Sequence, residues 1–296
     1  MCGIVGLFLK NEALEPQLGS LLEGMLGVMS DRGPDSAGFA VYRPGANDKI
    51  KLTLRSESEP AAALLGELEA AQAISLDAVI RDRHAVAAVP MADEEAVLSW
   101  LAARKDVEVV GTGRRMELYK EVGAPAVVAE QFGLGFMTGS HGIGHTRMAT
   151  ESSVTTAGAH PFSTGADQCL VHNGSLSNHN AVRRRLIREG LSFRTDNDSE
   201  VAAGYLTWRM REGASLAEAL EAALADLDGF YTFVVGTETG FAVLRDPIAC
   251  KPAVMAETDD YVAFGSEYRA LTGLPGIEAA RVFEPEPATV YAWDRG

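Results

Sequence analysis

A chain of 296 residues with 47% hydrophobic content holds enough apolar material for one large core or two small ones. Its 41 acidic residues outweigh 26 basic ones, a formal net charge of -15, and its only basic run, Arg183-Arg184-Arg185, is too short to track phosphates, so neither nucleic acid nor an anionic membrane is the expected partner. No apolar run approaches the roughly 20 residues that span a bilayer, and the first residues lack the basic stretch and cleavage site of a secretory signal. Three scattered cysteines, Cys2, Cys169 and Cys250, fit neither a disulfide framework nor a zinc site. A reducing, cytoplasmic setting is expected, with a small polar substrate or a protein as partner.

In chain order, Cys2 to Leu9 is a short apolar run that predicts a buried strand. Leu18, Leu21, Leu22, Met25, Leu26 and Met29 recur at helical spacing and predict an amphipathic helix over 17–30. Asp31-Arg32-Gly33-Pro34-Asp35 breaks it, and Phe39 to Tyr42 resumes as a strand. Residues 45–140 differ in texture. A helix at Ala61–Ala71 precedes a strand, a helix and a strand at Ala85–Val89, Asp93–Arg104 and Val107–Val110, a β-α-β pattern that reads as a small inserted subdomain. Gly111-Thr112-Gly113-Arg114-Arg115 matches no phosphate-binding fingerprint, and turn glycines explain it.

From Gly142 the chain is dense in short strands and polar turns. A strand at Gln168–Val171 ends in His172-Asn173-Gly174. Helices follow at Asn178–Glu189, stopped by Gly190, at Ser199–Arg211, and from Ser215, with Glu218 at the capping-box position. Strands are predicted near Tyr231–Val235, Phe241–Leu244, Val254, Tyr261–Phe264 and Thr289–Trp293. Strands at both ends with helices between them point to a layered α+β fold.

Five short segments carry side chains suited to chemistry. Once Met1 is removed, Cys2 holds a thiol and a free α-amine on one residue, and an α-amine with a reference pKa of roughly 7.7–8.0 is a usable base at neutral pH. The plain alternative is a cysteine packed as a small hydrophobe. Arg32 and Asp35 flank a turn whose Gly and Pro are explained by geometry; an internal bridge between the two would brace the strand ends beside Cys2. Arg147, in Gly144-His145-Thr146-Arg147-Met148-Ala149-Thr150, offers a guanidinium fork that suits a carboxylate. In His172-Asn173-Gly174 a side-chain amide and a glycine N–H can aim at one oxygen, as in an oxyanion hole, although Asn-Gly is equally a turn dipeptide. The acids of Thr195-Asp196-Asn197-Asp198-Ser199-Glu200 suit a helix cap or a substrate ammonium.

Taken together and in this order, the MCGIVG start, RGPDSAG, GHTRMAT, HNG and TDNDSE resemble the class II glutamine amidotransferases of the N-terminal nucleophile hydrolase superfamily. The resemblance covers roughly residues 2–43 and 141–296 and extends to Arg245-Asp246-Pro247 and Ser266-Glu267. It implies a four-layer αββα sandwich over 2–296, with 45–140 as the insertion. It also implies Cys2 as nucleophile with its own amine as base, and Asn173 and Gly174 as the oxyanion hole. Arg147 would sit on the glutamine carboxylate, Asp198 on its ammonium and Thr150 along the pocket, with Arg32 supporting the cysteine loop.

Glu151 stands where sugar-phosphate-type members carry histidine, and no acceptor module follows. The resemblance is therefore greatest to detached amidotransferase subunits of glutamate-synthase-like systems, N-methylglutamate synthase included. Such a subunit carries no cofactor of its own. It passes ammonia to a separate synthase chain holding flavin and iron–sulfur centres, which makes a hetero-oligomer the expected assembly. Competing readings are an N-terminal-cysteine acylase, a non-catalytic regulatory subunit of the same fold, and a Cys2–histidine pair using His145, His160 or His172.

Overall fold

Two sheets stacked face to face form the centre of the computed structural model, which describes residues 2–57, 60–148 and 154–295. The strands of the first half are β1 (Gly3–Leu9), β2 (Ser36–Tyr42), β3 (Lys49–Ser56), β4 (Asp77–Arg81), β5 (His84–Pro90), β6 (Val107–Gly113), β7 (Met116–Val122) and β8 (His141–Arg147). Those of the second half are β9 (Phe162–Gly165), β10 (Gln168–Leu176), β11 (Gly229–Gly236), β12 (Gly240–Arg245), β13 (Val254–Glu257), β14 (Tyr261–Gly265), β15 (Arg281–Phe283) and β16 (Thr289–Asp294). The helices are α1 (Leu18–Val28), α2 (Ala61–Gln72), α3 (Glu94–Ala102), α4 (Pro125–Phe132), α5 (His179–Arg188), α6 (Asp198–Arg211) and α7 (Leu216–Asp226).

The larger sheet has the order β15-β13-β14-β1-β8-β2-β7 and the smaller β16-β12-β11-β10-β9. Side-chain alternation explains the layering. On β1, Ile4 and Phe8 face inward and meet Val171, Val234 and Phe241 of the smaller sheet. Val5, Leu7 and Leu9 face outward and are covered by α1 and α4 through Leu22, Leu26 and Phe132. On the far side, Leu170, Phe233 and Leu244 turn outward against Leu186, Val201, Leu206 and Leu220 of α5, α6 and α7. A strand covered on both faces needs an unbroken apolar run, and GIVGLFL is one. The result is the expected αββα order, and no helix among the described residues is long and apolar enough to cross a membrane.

A third sheet, β4-β5-β3-β6, stands apart. All its pairs are antiparallel, and with α2 and α3 it forms a split β-α-β unit. It has its own core, including Leu52, Leu54, Leu64, Leu68, Val89 and Leu101. The β5-α3-β6 crossover matches the predicted pattern, with β3 lying between its two strands. This sheet ends at Gly113; β7 and α4 belong to the body, β7 as the partner of β2. The turn between β6 and β7 wraps the Asp167 carboxylate, which accepts the backbone N–H groups of Arg114, Arg115 and Met116 at 2.7, 2.8 and 2.9 Å. These donors, arranged as they would be around an anion, are thus filled from within the chain.

Candidate active site

Cys2 immediately precedes β1 and is half-buried. Because β1 lies between β8 and β14, with Gly3 opposite Thr146 and Val5 opposite Gly265, the Cys2 end of β1 meets the C-terminal ends of both neighbours. Arg147 ends β8, and Ser266 and Glu267 follow β14. Ser266 fixes the strand end: Ile4 N donates to its Oγ at 2.9 Å, and its own N donates to Ile4 O at 2.9 Å.

The Cys2 carbonyl oxygen accepts two hydrogen bonds, from Arg32 Nε at 3.0 Å and from Asn173 Nδ2 at 3.3 Å. Arg32 is nearly buried and also bonds Glu267, whose second oxygen receives Arg269 Nε at 2.6 Å. The hydrogen bond from Arg32, with Arg269 beside it, holds the Glu267 carboxyl below the usual carboxylate range. The expected bridge from Arg32 to Asp35 is replaced by this one. Arg32 ends a short 3-10 turn whose side chain reaches the end of β14, whereas Asp35 is pinned through its backbone, its N–H donating to Arg147 O at 3.1 Å and its carbonyl accepting from Gly123 N at 3.0 Å. Gly33 permits this close approach. A Cβ there would lie 2.4 Å from the Thr146 carbonyl carbon.

Asn173 and Gly174 lie inside β10 rather than in a turn that ends it. Pairing with β11 continues unbroken from Cys169 to Leu176, with Asn173 opposite Thr232 and Gly174 opposite Tyr231. Gly174 has φ +149, and a Cβ on it would come within 2.0 Å of Phe230 O. Glycine is therefore required there by both conformation and space.

Asp198 opens α6. Asn197 caps that helix by accepting Ser199 N at 2.8 Å, and Asp198 Oδ2 accepts Leu176 N at 2.8 Å, which ties the helix start to β10. Behind it, Ser199 Oγ lies 2.8 Å from both His160 Nε2 and His172 Nδ1. His145 Nε2 bonds His172 O at 3.1 Å and its ring stacks on His160. Burial drives all three imidazoles toward the neutral form, His145 down to about 3. Their hydrogen bonds run to the His172 carbonyl oxygen and to Ser199, and none is made to Cys2 among the described residues, although each ring keeps one nitrogen without a partner there. Arg147 is buried at the end of β8, with Nη1 3.5 Å from where a Gly158 Cβ would stand. Thr150 and Glu151 lie outside the described residues.

A family described as "Glutamine amidotransferase domain" matches residues 145–273. The chain is 61% identical, over 99% of its own length and 98% of the relative's, to the "Glutamine amidotransferase-like protein GlxB" of Rhizobium meliloti. The chain belongs to the class II glutamine amidotransferases. Forty-three per cent of this amidotransferase is also 42% identical to part of the glutamine–fructose-6-phosphate aminotransferase of Xylella fastidiosa, covering 20% of that protein. Its fold is that of the glutamine phosphoribosylpyrophosphate amidotransferase of B. subtilis, at a TM-score of 0.60 and 20% identity over 99% of this chain and 47% of that one.

Sequence reasoning marked Cys2, Arg32, Asn173, Gly174 and Asp198, which the fold of this amidotransferase brings to one edge, and Arg147 stands one residue past the Gly3–Thr146 pair. It gave no role to Glu267 or Ser199. The Ser266-Glu267 pair was visible as a motif, but its partner lies 235 positions away in the chain. Ser199 has no signal beyond its place between two acids.

Proposed function

We propose that this amidotransferase hydrolyses glutamine at Cys2 and hands the ammonia to a separate synthase chain. The observation that supports this most is the contact between Asn173 Nδ2 and Cys2 O, which brings the two segments of the proposed hole and nucleophile together. With Met1 removed, the Cys2 α-amine takes the thiol proton. The thiolate attacks the glutamine carboxamide carbon, and the negative charge moves to its oxygen. In this reading Asn173 Nδ2 and Gly174 N–H donate to that oxygen and stabilise it. The α-ammonium returns its proton to the leaving nitrogen, the C–N bond breaks, and a glutamyl thioester and ammonia remain. Water then cleaves the thioester to glutamate and restores the thiol.

Arg147 would hold the glutamine carboxylate, Asp198 its ammonium, and Thr150 would line the pocket. Arg32, locked by Glu267, would fix the Cys2 backbone. The end-to-end likeness to the Rhizobium protein supports the amidotransferase reading itself. A glutamate-synthase-like or N-methylglutamate-synthase-like partner is the acceptor we favour, with flavin and iron–sulfur centres on it and a hetero-oligomer as the working form.

The test combines affinity purification of partners with a glutaminase assay. Cys2→Ala should abolish glutamate release from glutamine. Asn173→Ala should lower kcat at least about tenfold with Cys2 intact, since losing one oxyanion donor typically costs about 2.7–4 kcal/mol of barrier. Unchanged kinetics in Asn173→Ala would remove its assigned role, and glutaminase activity surviving in Cys2→Ala would remove the mechanism.

A further inference from the structure

A cavity of about 410 Å3 lies between the third sheet and the body, away from Cys2. Its walls include β6 on one side, and β9 with the Ser192–Thr195 segment on the other. Both strands are the outermost members of their sheets, and the outer edge of β6 is bonded at Val109 O by Arg194 Nη1 at 3.0 Å and at Thr112 O by Asp167 N at 2.8 Å. Four charged side chains line it, namely Glu108, Lys120, Arg194 and Glu200.

The first three face one another without touching. Glu108 Oε1 is 3.9 Å from Lys120 Nζ and 3.8 Å from Arg194 Nη1, and Glu108 Oε2 is 4.0 Å from Arg55 Nη1. All three distances exceed a hydrogen bond, and the Glu108 carboxylate accepts none among the described residues. Lys120 is only 4% exposed and uses one donor on Ala157 O at 3.1 Å, with the Phe162 ring at 4.9 Å. Its remaining N–H groups have no acceptor among the described residues, and burial lowers its pKa. The other acid of the wall, Glu200, is by contrast saturated by Arg194 N, Thr195 N and Thr195 Oγ1 at 2.8–2.9 Å.

Glu108 and Lys120, buried opposite charges held apart, forfeit the hydrogen bonds that would offset their desolvation, while Arg194 is half-exposed at the rim and spends one donor on Val109 O at 3.0 Å. A guest that brings both signs recovers the missing bonds. A carboxylate set between Lys120 and Arg194, with an ammonium on Glu108, satisfies all three groups and leaves the local charge balance unchanged. A monoanion or a simple amine satisfies only one side. The apolar wall of Leu98, Val109 and Phe162 is left for the rest of the molecule, and the volume lies within the range of small-ligand pockets.

We propose that this cavity binds a free α-amino acid. The site is separate from the edge that carries Cys2, whose residues form no part of its walls. Thr195 and Glu200, which do, flank Asp198 in the chain.

The test is calorimetric titration of the full chain carrying Asp198→Asn, which removes the proposed ammonium acceptor near Cys2. Glycine, alanine, glutamate and glutamine serve as probes, with propionate and ethylamine as single-charge controls. At least one amino acid should bind saturably, one molecule per chain, and neither control should bind. Adding Glu108→Gln or Arg194→Ala should weaken that binding at least about tenfold, or about 1.4 kcal/mol. Arg194 is half-exposed, so its replacement tests the site even where that of Glu108 disturbs folding. Absence of binding by any of the four up to about 10 mM, propionate binding as tightly as alanine, or affinity indifferent to both replacements would each overturn the proposal. Glycine, alanine and glutamate are not hydrolysed at Cys2, so their binding heat is independent of glutaminase activity, and a failure here is distinguishable from a failure of the Cys2 mechanism.

Discussion

Around Cys2, polar groups from segments as distant as Arg32, Asn173 and Glu267 meet at the end of the central strand β1 and are linked through the Cys2 carbonyl oxygen and Arg32. In the sheet of residues 49–113, aliphatic side chains close a core among chain neighbours, and β4 is exposed along its whole length. The first region holds its groups by strand register across the whole fold, so a local change there should be felt in chemistry. The second is held by area removed from water, at roughly 25 cal/mol per Å2, so a change there should be felt in stability.

The largest effect is expected at Gly174. In Gly174→Ala the added Cβ meets Phe230 O at 2.0 Å in a conformation with φ +149. The β10–β11 pair must shift and carry Asn173 with it. Glutaminase kcat should fall about 100-fold or more, by steady-state glutamate release. Wild-type turnover would show that the edge tolerates movement and that the contrast is overstated.

Glu267 comes next. Glu267→Gln keeps the size but weakens the charge-assisted bonds to Arg32 and Arg269. We expect kcat/KM to fall about tenfold, equivalent to about 1.4 kcal/mol, while the thermal midpoint moves little because the carboxylate is partly solvated. A drop in the midpoint without a change in kcat/KM would make Glu267 a structural residue only.

Leu52→Ala is the matching change in the other region. Leu52 is fully buried in the core of the third sheet, and its truncation should cost about 2–5 kcal/mol. Hydrogen exchange should show the loss at β3, β5 and β6, with glutaminase kcat within about twofold of wild type. Equal deprotection of β1 and β10 would show that the two regions unfold as one.

The same contrast explains what the sequence made legible. Hydrophobic period and capping marked β1, α1, α5, α6 and α7, and Ser215 and Glu218 do form the reciprocal box, at 3.3 and 2.8 Å. Ordered motifs marked the edge residues because each sits at a strand or helix end whose local chemistry is unusual. β4 was not legible because both its faces are exposed and no alternation is imposed on it. β3 and β7 carry charged residues that are paired in the fold, as with Lys51 and Glu117 at 2.8 Å, which reads in sequence as surface. Arg32's partner was missed because the turn offered a nearer acid, Asp35, and nothing local signals a bond across the sheet.

The smallest effect concerns His84, where the two regions meet. Its ring packs edge-on against Phe132 of α4, and neither ring nitrogen has a partner among the described residues. Burial lowers its pKa from 6.5 to about 4. The folded protein thus keeps His84 neutral while the unfolded chain binds a proton below about pH 6.5. Stability contributed by the neutral ring is complete above that pH and is lost as pH falls toward about 4. His84→Leu keeps the volume and removes both the unpaired nitrogens and the titration. It should raise stability at pH 8, and raise it by about 1 kcal/mol more at pH 5.5, the unfolded-state proton then being absent. Urea melts at the two pH values measure the difference. A gain that is the same at both would place a partner on His84 and make it a tie between the third sheet and the body rather than a tolerated burial.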